Sequence, residues 1–305
     1  MLPSWLKQKK PSLGKSMAVN NIIKQHNLHT VCQSAKCPNI FECFAKGTAT
    51  FMILGDACTR HCRFCSIPKI PLNPPAPPFV KGGNKRGDLT KEEIGGFNES
   101  KKVALACLEM KLKHVVITSV TRDDLPDGGA GVFSDTITEV RKICSDVTIE
   151  VLTPDFQGNQ TSIRQVVSAK PDIFNHNIET VSRLYASIRP EADYRRSLRL
   201  LSSIKTVDIT ITTKSGLMLG LGEEETEVLA ALKDLRAVDC DMVTIGQYLR
   251  PSLSTGTVEV ARFVPPEEFE SYRLKALEMG FKAVAAGPFV RSSYMAEESL
   301  LKFSR

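Results

Sequence analysis

The chain has 305 residues, 42% of them hydrophobic, and 40 Lys+Arg against 34 Asp+Glu give it a net charge of +6. That is apolar material for one large domain or two smaller ones, while the positive surplus is too small and too dispersed to argue for nucleic acid. No apolar run is long enough to span a bilayer, and the basic opening Met1–Lys10 lacks the apolar stretch and cleavage site of a secretory signal. The expectation is a cytoplasmic protein with no membrane or nucleic-acid partner. Its 9 cysteines, an odd number, argue against a disulfide framework. Six of them fall between residues 32 and 65. The others, Cys107, Cys144 and Cys240, lie in apolar segments and read as small buried hydrophobes.

In chain order, residues 1–47 read as an irregular, polar N-terminal extension. Strands are predicted at Thr48–Leu54, His114–Val120, Thr148–Leu152, Asp172–Asn175, Val207–Thr212 and Met242–Ile245. Helical patterns occupy Ser100–Met110, Phe133–Ser145, Ile163–Ala169, Thr180–Ser187 and Glu224–Val238. Buried β-branched runs alternating with amphipathic helices point to parallel strands joined by crossover helices. About six such units predict an α/β fold, a partial or full (β/α) barrel, with function on the loops after the strand ends. Pro74–Asn98, rich in Pro, Gly and charge, offers little to bury and reads as a mobile surface insertion.

The loop after the first predicted strand carries Cys58, Cys62 and Cys65, spaced Cys-x3-Cys-x2-Cys. Three thiolates this close can each hold one iron of a [4Fe–4S] cubane and leave the fourth iron open. An open iron can be chelated by the amino and carboxylate groups of S-adenosylmethionine, which sets its sulfonium beside the cluster for one-electron cleavage. A zinc knot is the alternative, but zinc sites close with four ligands, and His61 is poorly placed as the fourth. Arg60 and His61 fit surface or supporting positions as well as a direct role. Phe64 fits either packing or a place against an adenine. A second set, Cys32, Cys37 and Cys43, is spaced Cys-x4-Cys-x5-Cys. It fits a second cluster or a zinc site completed by His26 or His29.

With both sets in view, the chain resembles the lipoyl synthase family of the radical S-adenosylmethionine superfamily. The resemblance runs nearly the whole length. It includes Thr118–Ala130 (TSVTRDDLPDGGA), Phe174–Val181 (FNHNIETV), Thr213–Gly220 (TKSGLMLG), Gly246–Pro251 (GQYLRP) and Gly287–Tyr294 (GPFVRSSY). It implies a barrel at 48–285, with an N-terminal extension at 1–47 and a C-terminal segment at 286–305. It implies that Cys58, Cys62 and Cys65 hold the cluster that cleaves S-adenosylmethionine. Cys32, Cys37 and Cys43 would hold an auxiliary [4Fe–4S] cluster, with Ser293 as its fourth ligand. Hydrogen would be abstracted from carbons 6 and 8 of an octanoyl chain, and the auxiliary cluster would surrender sulfur to each. The implied partners are octanoylated lipoyl-carrier domains (of 2-oxoacid dehydrogenases or the glycine-cleavage H protein), an electron donor such as flavodoxin or ferredoxin, and a cluster-assembly protein.

The remaining motifs allow two readings each. Ser119, Arg122, Asn177 and Glu179 fit contacts to S-adenosylmethionine or hydrogen bonding at the barrel rim. Asp123 and Asp124 fit a metal pair or a turn with ion pairs, Gly128–Gly129 a turn, and Gly220–Gly222 is too short for a phosphate loop. Arg189, Arg195 and Arg196 form a basic group that fits a carrier-docking face or a solvated face. The chain departs from the family pattern at the 74–98 insertion and at Ser252–Val260, which lacks a His expected after Arg250-Pro251. The competing enzyme reading resembles biotin synthase, acting on a free small molecule. The non-enzyme reading is a zinc or electron-carrying module.

Overall fold

The computed structural model describes residues 3–6, 14–34, 37, 39–45, 47–70, 96–251 and 256–293. The expected mobile insertion at 74–98 lies outside these residues except for 96–98, which belong to a helix.

Among its described residues, the N-terminal stretch is not irregular. It contains α1 (Gly14–Gln25), a short strand β1 (His29–Thr30), α2 (Val31–Ser34) and α3 (Ile40–Ala45), so the cysteines at 32 and 43 ride on helical turns. β2 (Thr48–Ile53) is buried at every position, as a strand covered on both faces must be. Then follow α4 (Gly96–Glu109), β3 (His114–Ser119), α5 (Ala130–Ile143), β4 (Thr148–Leu152), α6 (Gln160–Ser168) and β5 (Ile173–Asn175). The second half contains α7 (Tyr185–Ile188), α8 (Tyr194–Val207), β6 (Thr212–Leu219), α9 (Glu225–Ala237), β7 (Met242–Gln247), α10 (Pro266–Glu278) and β8 (Ala283–Gly287).

The sheet runs β1 to β8 in sequence order. β1 is antiparallel to β2, and every later neighbour is parallel. Among the described residues no ladder joins β8 to β1, so the barrel is partial. Each crossover helix buries one stripe. On α5 it is Phe133, Thr136, Ile137 and Val140; on α8 it is Tyr194, Ser197, Leu200, Leu201 and Ile204. Local chemistry sets their starts. Asn159 accepts from the N–H groups of Thr161 and Ser162, Asp193 accepts from Arg196 N–H, and Glu224 and Glu227 form a capping box.

The predicted strand at Val207–Thr212 is overturned. Val207 ends α8, the Asp208 carboxylate accepts from the Thr210 N–H, and Ile209 is 70% exposed. The real strand β6 starts at Thr212 and carries a lysine into the barrel. Lys214 Nζ lies 3.0 and 3.1 Å from the two oxygens of Glu150, which also takes Asn175 Nδ2 at 2.8 Å and His114 Nε2 at 3.2 Å. Glu150 and His114 are fully buried and Lys214 is 1% exposed. Burial pushes the Glu150 carboxyl up, but Lys214, His114 and Asn175 together hold it down at about 2. A buried charged pair thus ties β6 to β4.

Candidate active site

Leu54 and Gly55, both at positive φ (68° and 92°), turn the chain off the end of β2 into the loop that carries Cys58, Cys62 and Cys65. That turn is packed closely. A side chain on Gly129, which caps α5 at φ 89°, would strike Leu54. The loop is tied on both sides. Cys58 N–H donates to Pro68 O at 2.9 Å and Ile70 N–H to Cys58 O at 2.8 Å. Thr59 N–H donates to Thr121 O at 3.0 Å, and Arg63 N–H to Ile188 O at 2.9 Å.

The three thiols lie close enough to interact as charges. Burial pushes Cys62 up to about 11, opposed by Arg189 and Lys69 and reinforced by Cys65 and Cys58. Burial also raises Cys65, opposed by Lys69. Binding iron would require these thiols to ionise, and the two cations beside them would favour that form. Among the described residues no three His, Cys, Asp or Glu side chains converge on one point as ligands of a single ion. A cubane, with one thiolate per iron, needs the thiols around it rather than converged. His26, a candidate zinc ligand, is bonded to Glu109 at 3.0 Å.

The second set lies alongside. Burial pushes Cys32 up to about 11, with Cys37 adding to it and Thr50 hydrogen bonds opposing. Burial raises Cys37 too, opposed by the Asn39 N–H and by Arg291. Cys43 is half-buried on α3. Ser66 Oγ donates to Ser34 O at 3.2 Å, joining the two cysteine segments. Asn39 Nδ2 donates to Phe289 O at 2.6 Å, joining the N-terminal set to the segment that holds Ser292 and Ser293. Ser292 Oγ in turn accepts from Asn177 Nδ2 at 2.7 Å. Ser293 follows it in the same turn, half-buried.

Asn177 and Glu179 follow β5. Asn177 Nδ2 also donates to Glu179 Oε1 at 3.1 Å, and burial raises the Glu179 carboxyl against the pull of Arg189. Four buried polar atoms in this region have no protein partner: Ser119 Oγ at the end of β3, Asn177 Oδ1, Lys69 Nζ and Arg189 Nε. Buried polar groups are rarely left so, and a cluster of donors and acceptors beside three thiols fits a polar, zwitterionic ligand. Phe64 is half-buried against the core.

For other residues the structure decides between the readings. Arg122 is held by Asp124 through two bonds of 2.8 Å, and Asp123 by Arg60, so the aspartates are ion-pair partners. Arg189 is buried and donates to Asn177 O, Ile178 O and the Tyr185 hydroxyl, while Arg196 pairs with Asp155. Of the predicted basic group only Arg195 is exposed. Of the positions open to Arg60, surface, supporting or direct, its 3% exposure excludes the surface one. Gly220 and Leu221 N–H groups are taken by the Glu223 carboxylate at 2.6 and 2.9 Å. Sequence reasoning assigned no role to Lys69. Its only signal was its place four residues beyond Cys65.

The radical SAM superfamily profile matches residues 52–235. The chain is 52% identical over 300 residues to a lipoyl synthase of Caldanaerobacter subterraneus subsp. tengcongensis, covering 98% of this chain and 96% of that protein. It is 48% identical over 305 residues to a lipoyl synthase of Pyrobaculum calidifontis, covering 100% and 98%. In fold it is similar to methylornithine synthase (TM-score 0.51, 12% identity, 91% of this chain and 86% of that one). It is also similar to Streptococcus suis SuiB bound to S-adenosylmethionine (TM-score 0.53, 10% identity, 81% and 53%). With the two cysteine sets, the partial barrel and full-length similarity in agreement, the chain belongs to the lipoyl synthase family of the radical S-adenosylmethionine superfamily.

Proposed function

We infer that the two cysteine sets divide a sulfur-inserting reaction between them. Cys58, Cys62 and Cys65 hold the [4Fe–4S] cluster that binds S-adenosylmethionine; Cys32, Cys37 and Cys43, with Ser293, hold an auxiliary [4Fe–4S] cluster. As a lipoyl synthase, the chain is a radical S-adenosylmethionine sulfurtransferase, adding sulfur at carbons 6 and 8 of an octanoyl chain borne on the lysine of a lipoyl-carrier protein. When bound, the first cluster and S-adenosylmethionine supply one-electron chemistry able to break an unactivated C–H bond, and the auxiliary cluster supplies the sulfur.

The chain's own residues do the rest. Lys69 Nζ and Arg189 Nε, buried cations with free donors, suit the carboxylate of S-adenosylmethionine. Asn177 Oδ1 and the Glu179 carboxylate suit its ammonium, whose charge would oppose the upward push of burial on Glu179. Ser119 Oγ suits a ribose hydroxyl, and Phe64 a face of the adenine. The barrel wall excludes water from a reactive radical. Residues 48–285 form the catalytic barrel in this reading, and 1–47 and 286–305 deliver the auxiliary ligands to it. Flavodoxin or ferredoxin as electron donor, a cluster-assembly protein as sulfur restorer, and a cytoplasmic location complete the reading; no described helix is long and apolar enough to cross a membrane.

The observation that carries the reading is the chain of contacts Asn39–Phe289 and Ser292–Asn177. It sets one short segment between the N-terminal cysteines and the residues after β5, so that a sulfur source and a radical source can face one substrate. The test is anaerobic incubation of the reconstituted protein with S-adenosylmethionine, a reductant and an octanoyl-lysine peptide. Mass spectrometry should find sulfur added to the peptide and 5′-deoxyadenosine released. 5′-Deoxyadenosine without sulfur transfer would overturn the substrate and keep the superfamily chemistry.

A further inference from the structure

The cluster loop is gripped by a set of charges that no step above uses. Arg60 lies between Cys58 and Cys62 and is 3% exposed. Its Nε donates to Asp123 Oδ2 at 2.6 Å and its Nη2 to Asp123 Oδ1 at 3.0 Å and to Asp155 Oδ1 at 2.5 Å. Asp155, fully buried, takes Arg196 Nε on its other oxygen at 2.8 Å and the Gln157 N–H at 3.0 Å. Asp123 lies beyond β3, Asp155 beyond β4, and Arg196 in the first turn of α8. One guanidinium of the cysteine loop therefore reaches two strand ends directly and a helix through Asp155. Two arginines and two aspartates cancel in charge.

The backbone of the same residues repeats the grip. Thr59 donates both its N–H and its hydroxyl to Thr121 O, each at 3.0 Å, and its Oγ1 accepts from Asp123 N–H at 3.1 Å. Arg60 N–H points at Cys58 Sγ from 3.4 Å. Such N–H···S bonds and nearby charges tune the potential of a cluster bound to that sulfur. A buried ion pair is a poor source of net stability, but a planar bidentate fork fixes geometry. Here it fixes the segment carrying the first two thiols.

We propose that Arg60 is a positioning residue that, through Asp123 and Asp155, shapes the Cys58–Cys62 segment before iron arrives and sets the electrostatic environment of the cluster afterwards. This rests on Cys58, Cys62 and Cys65 being cluster ligands, and not on which substrate receives sulfur.

The test uses the full chain with Arg60→Gln, Arg60→Lys and Asp123→Asn. In the iron-free protein, amide hydrogen exchange is followed at residues 58–62 and 121–124, with β6 and β7 as internal reference. Arg60→Gln should lose protection there by on the order of tenfold to a hundredfold while the reference strands keep theirs. Arg60→Lys, a point charge without the fork, should recover part of it, and Asp123→Asn should lose about tenfold. In the anaerobically loaded protein, Arg60→Gln leaves one negative charge uncompensated near the cluster, because Asp155 keeps Arg196 while Asp123 loses its partner. Its midpoint potential should fall and its reduced-state electron paramagnetic resonance spectrum change. Should Arg60→Gln unfold the chain, Asp123→Asn, at a partly exposed position, carries the test alone. Unprotected amides at 58–62 in the iron-free wild type would overturn the proposal, as would unchanged protection and potential in Asp123→Asn. No octanoyl substrate is present, so a failure of sulfur insertion leaves this test readable.

Discussion

Asn39 donates its side-chain amide to the carbonyl of Phe289, 250 residues away, at 2.6 Å. The bond closes the N-terminal cysteine segment onto the segment that carries Ser293, and Arg291 approaches Cys37 beside it. In Asn39→Ala this tie is lost and a part-buried carbonyl loses that donor. A loss of that kind costs about 1 kcal/mol locally. The auxiliary site should therefore lose iron and sulfide severalfold more readily, with sulfur insertion falling in parallel, while S-adenosylmethionine cleavage continues. Separate iron and sulfide analysis against 5′-deoxyadenosine yield checks this. Equal loss from both clusters would show that the bond stabilises the whole chain rather than the auxiliary site.

In the proposed auxiliary cluster, Ser293 would offer a hard alkoxide to an iron otherwise held by sulfur. A mismatched ligand is the one that leaves first when the cluster must give up sulfur. Ser293→Cys should keep both clusters and cleave S-adenosylmethionine normally, yet insert sulfur on the order of tenfold more slowly because the softer thiolate releases iron less readily. Single-turnover assays with an octanoyl-lysine peptide measure it. Full turnover at the wild-type rate would remove any need for a labile serine.

The placement of Cys58, Cys62 and Cys65 on a loop after β2 was legible because spacing on a strand-end loop is local information. So were β2 to β5 and β7, whose apolar runs match their burial. β6 was misread because its interior residue is Lys214, satisfied by Glu150 from a strand 64 positions away, which no periodicity reveals. β8, Ala-Val-Ala-Ala-Gly, has little intrinsic strand preference and gains its place by pairing with β7. The ties from Arg60 to Asp123 and Asp155 span 63 and 95 positions, and Arg189 reaches Asn177 and Ile178 from the loop beyond α7. In sequence each of these arginines looks like an ordinary surface charge. Only the fold supplies the carboxylates and carbonyls that hold them.

His176 provides a pH signature of the folded barrel. It is 1% exposed, with Nδ1 2.9 Å from Thr153 O and Nε2 3.0 Å from Ser197 Oγ. Burial pushes its pKa down to about 4, with the Arg189 charge acting in the same direction. The fold therefore holds the ring neutral, donating from Nδ1 and accepting at Nε2. Between about pH 6.5 and 4 the unfolded chain binds a proton that the folded chain refuses. Stability from this group is complete above pH 6.5 and declines as pH falls toward 4, by roughly 3 kcal/mol in all. Urea unfolding of the iron-free protein across that range should give this slope, and His176→Asn should flatten it. An equal slope in the variant would assign the acid sensitivity elsewhere.

Gly216 lies on β6 behind Asn177. A methyl group there would meet Thr244 Oγ1 at 2.6 Å and Asn177 Oδ1 at 2.9 Å, both inside normal contact. Neither neighbour is the end of a long flexible chain, so one must move. Thr244 is fixed in β7, whereas Asn177 is held by the loop beyond β5 and by its bonds to Glu179 and Ser292. Overpacking of this size costs typically 1–3 kcal/mol, and here it falls on a residue assigned to bind S-adenosylmethionine. Gly216→Ala should raise the Kd for S-adenosylmethionine about tenfold to a hundredfold, with the Cys58–Cys62–Cys65 cluster loaded as in the wild type. Equilibrium dialysis on the loaded protein, beside its unfolding midpoint, separates the two effects. A lower midpoint with unchanged affinity would mean that Asn177 packs the barrel and does not touch the cosubstrate.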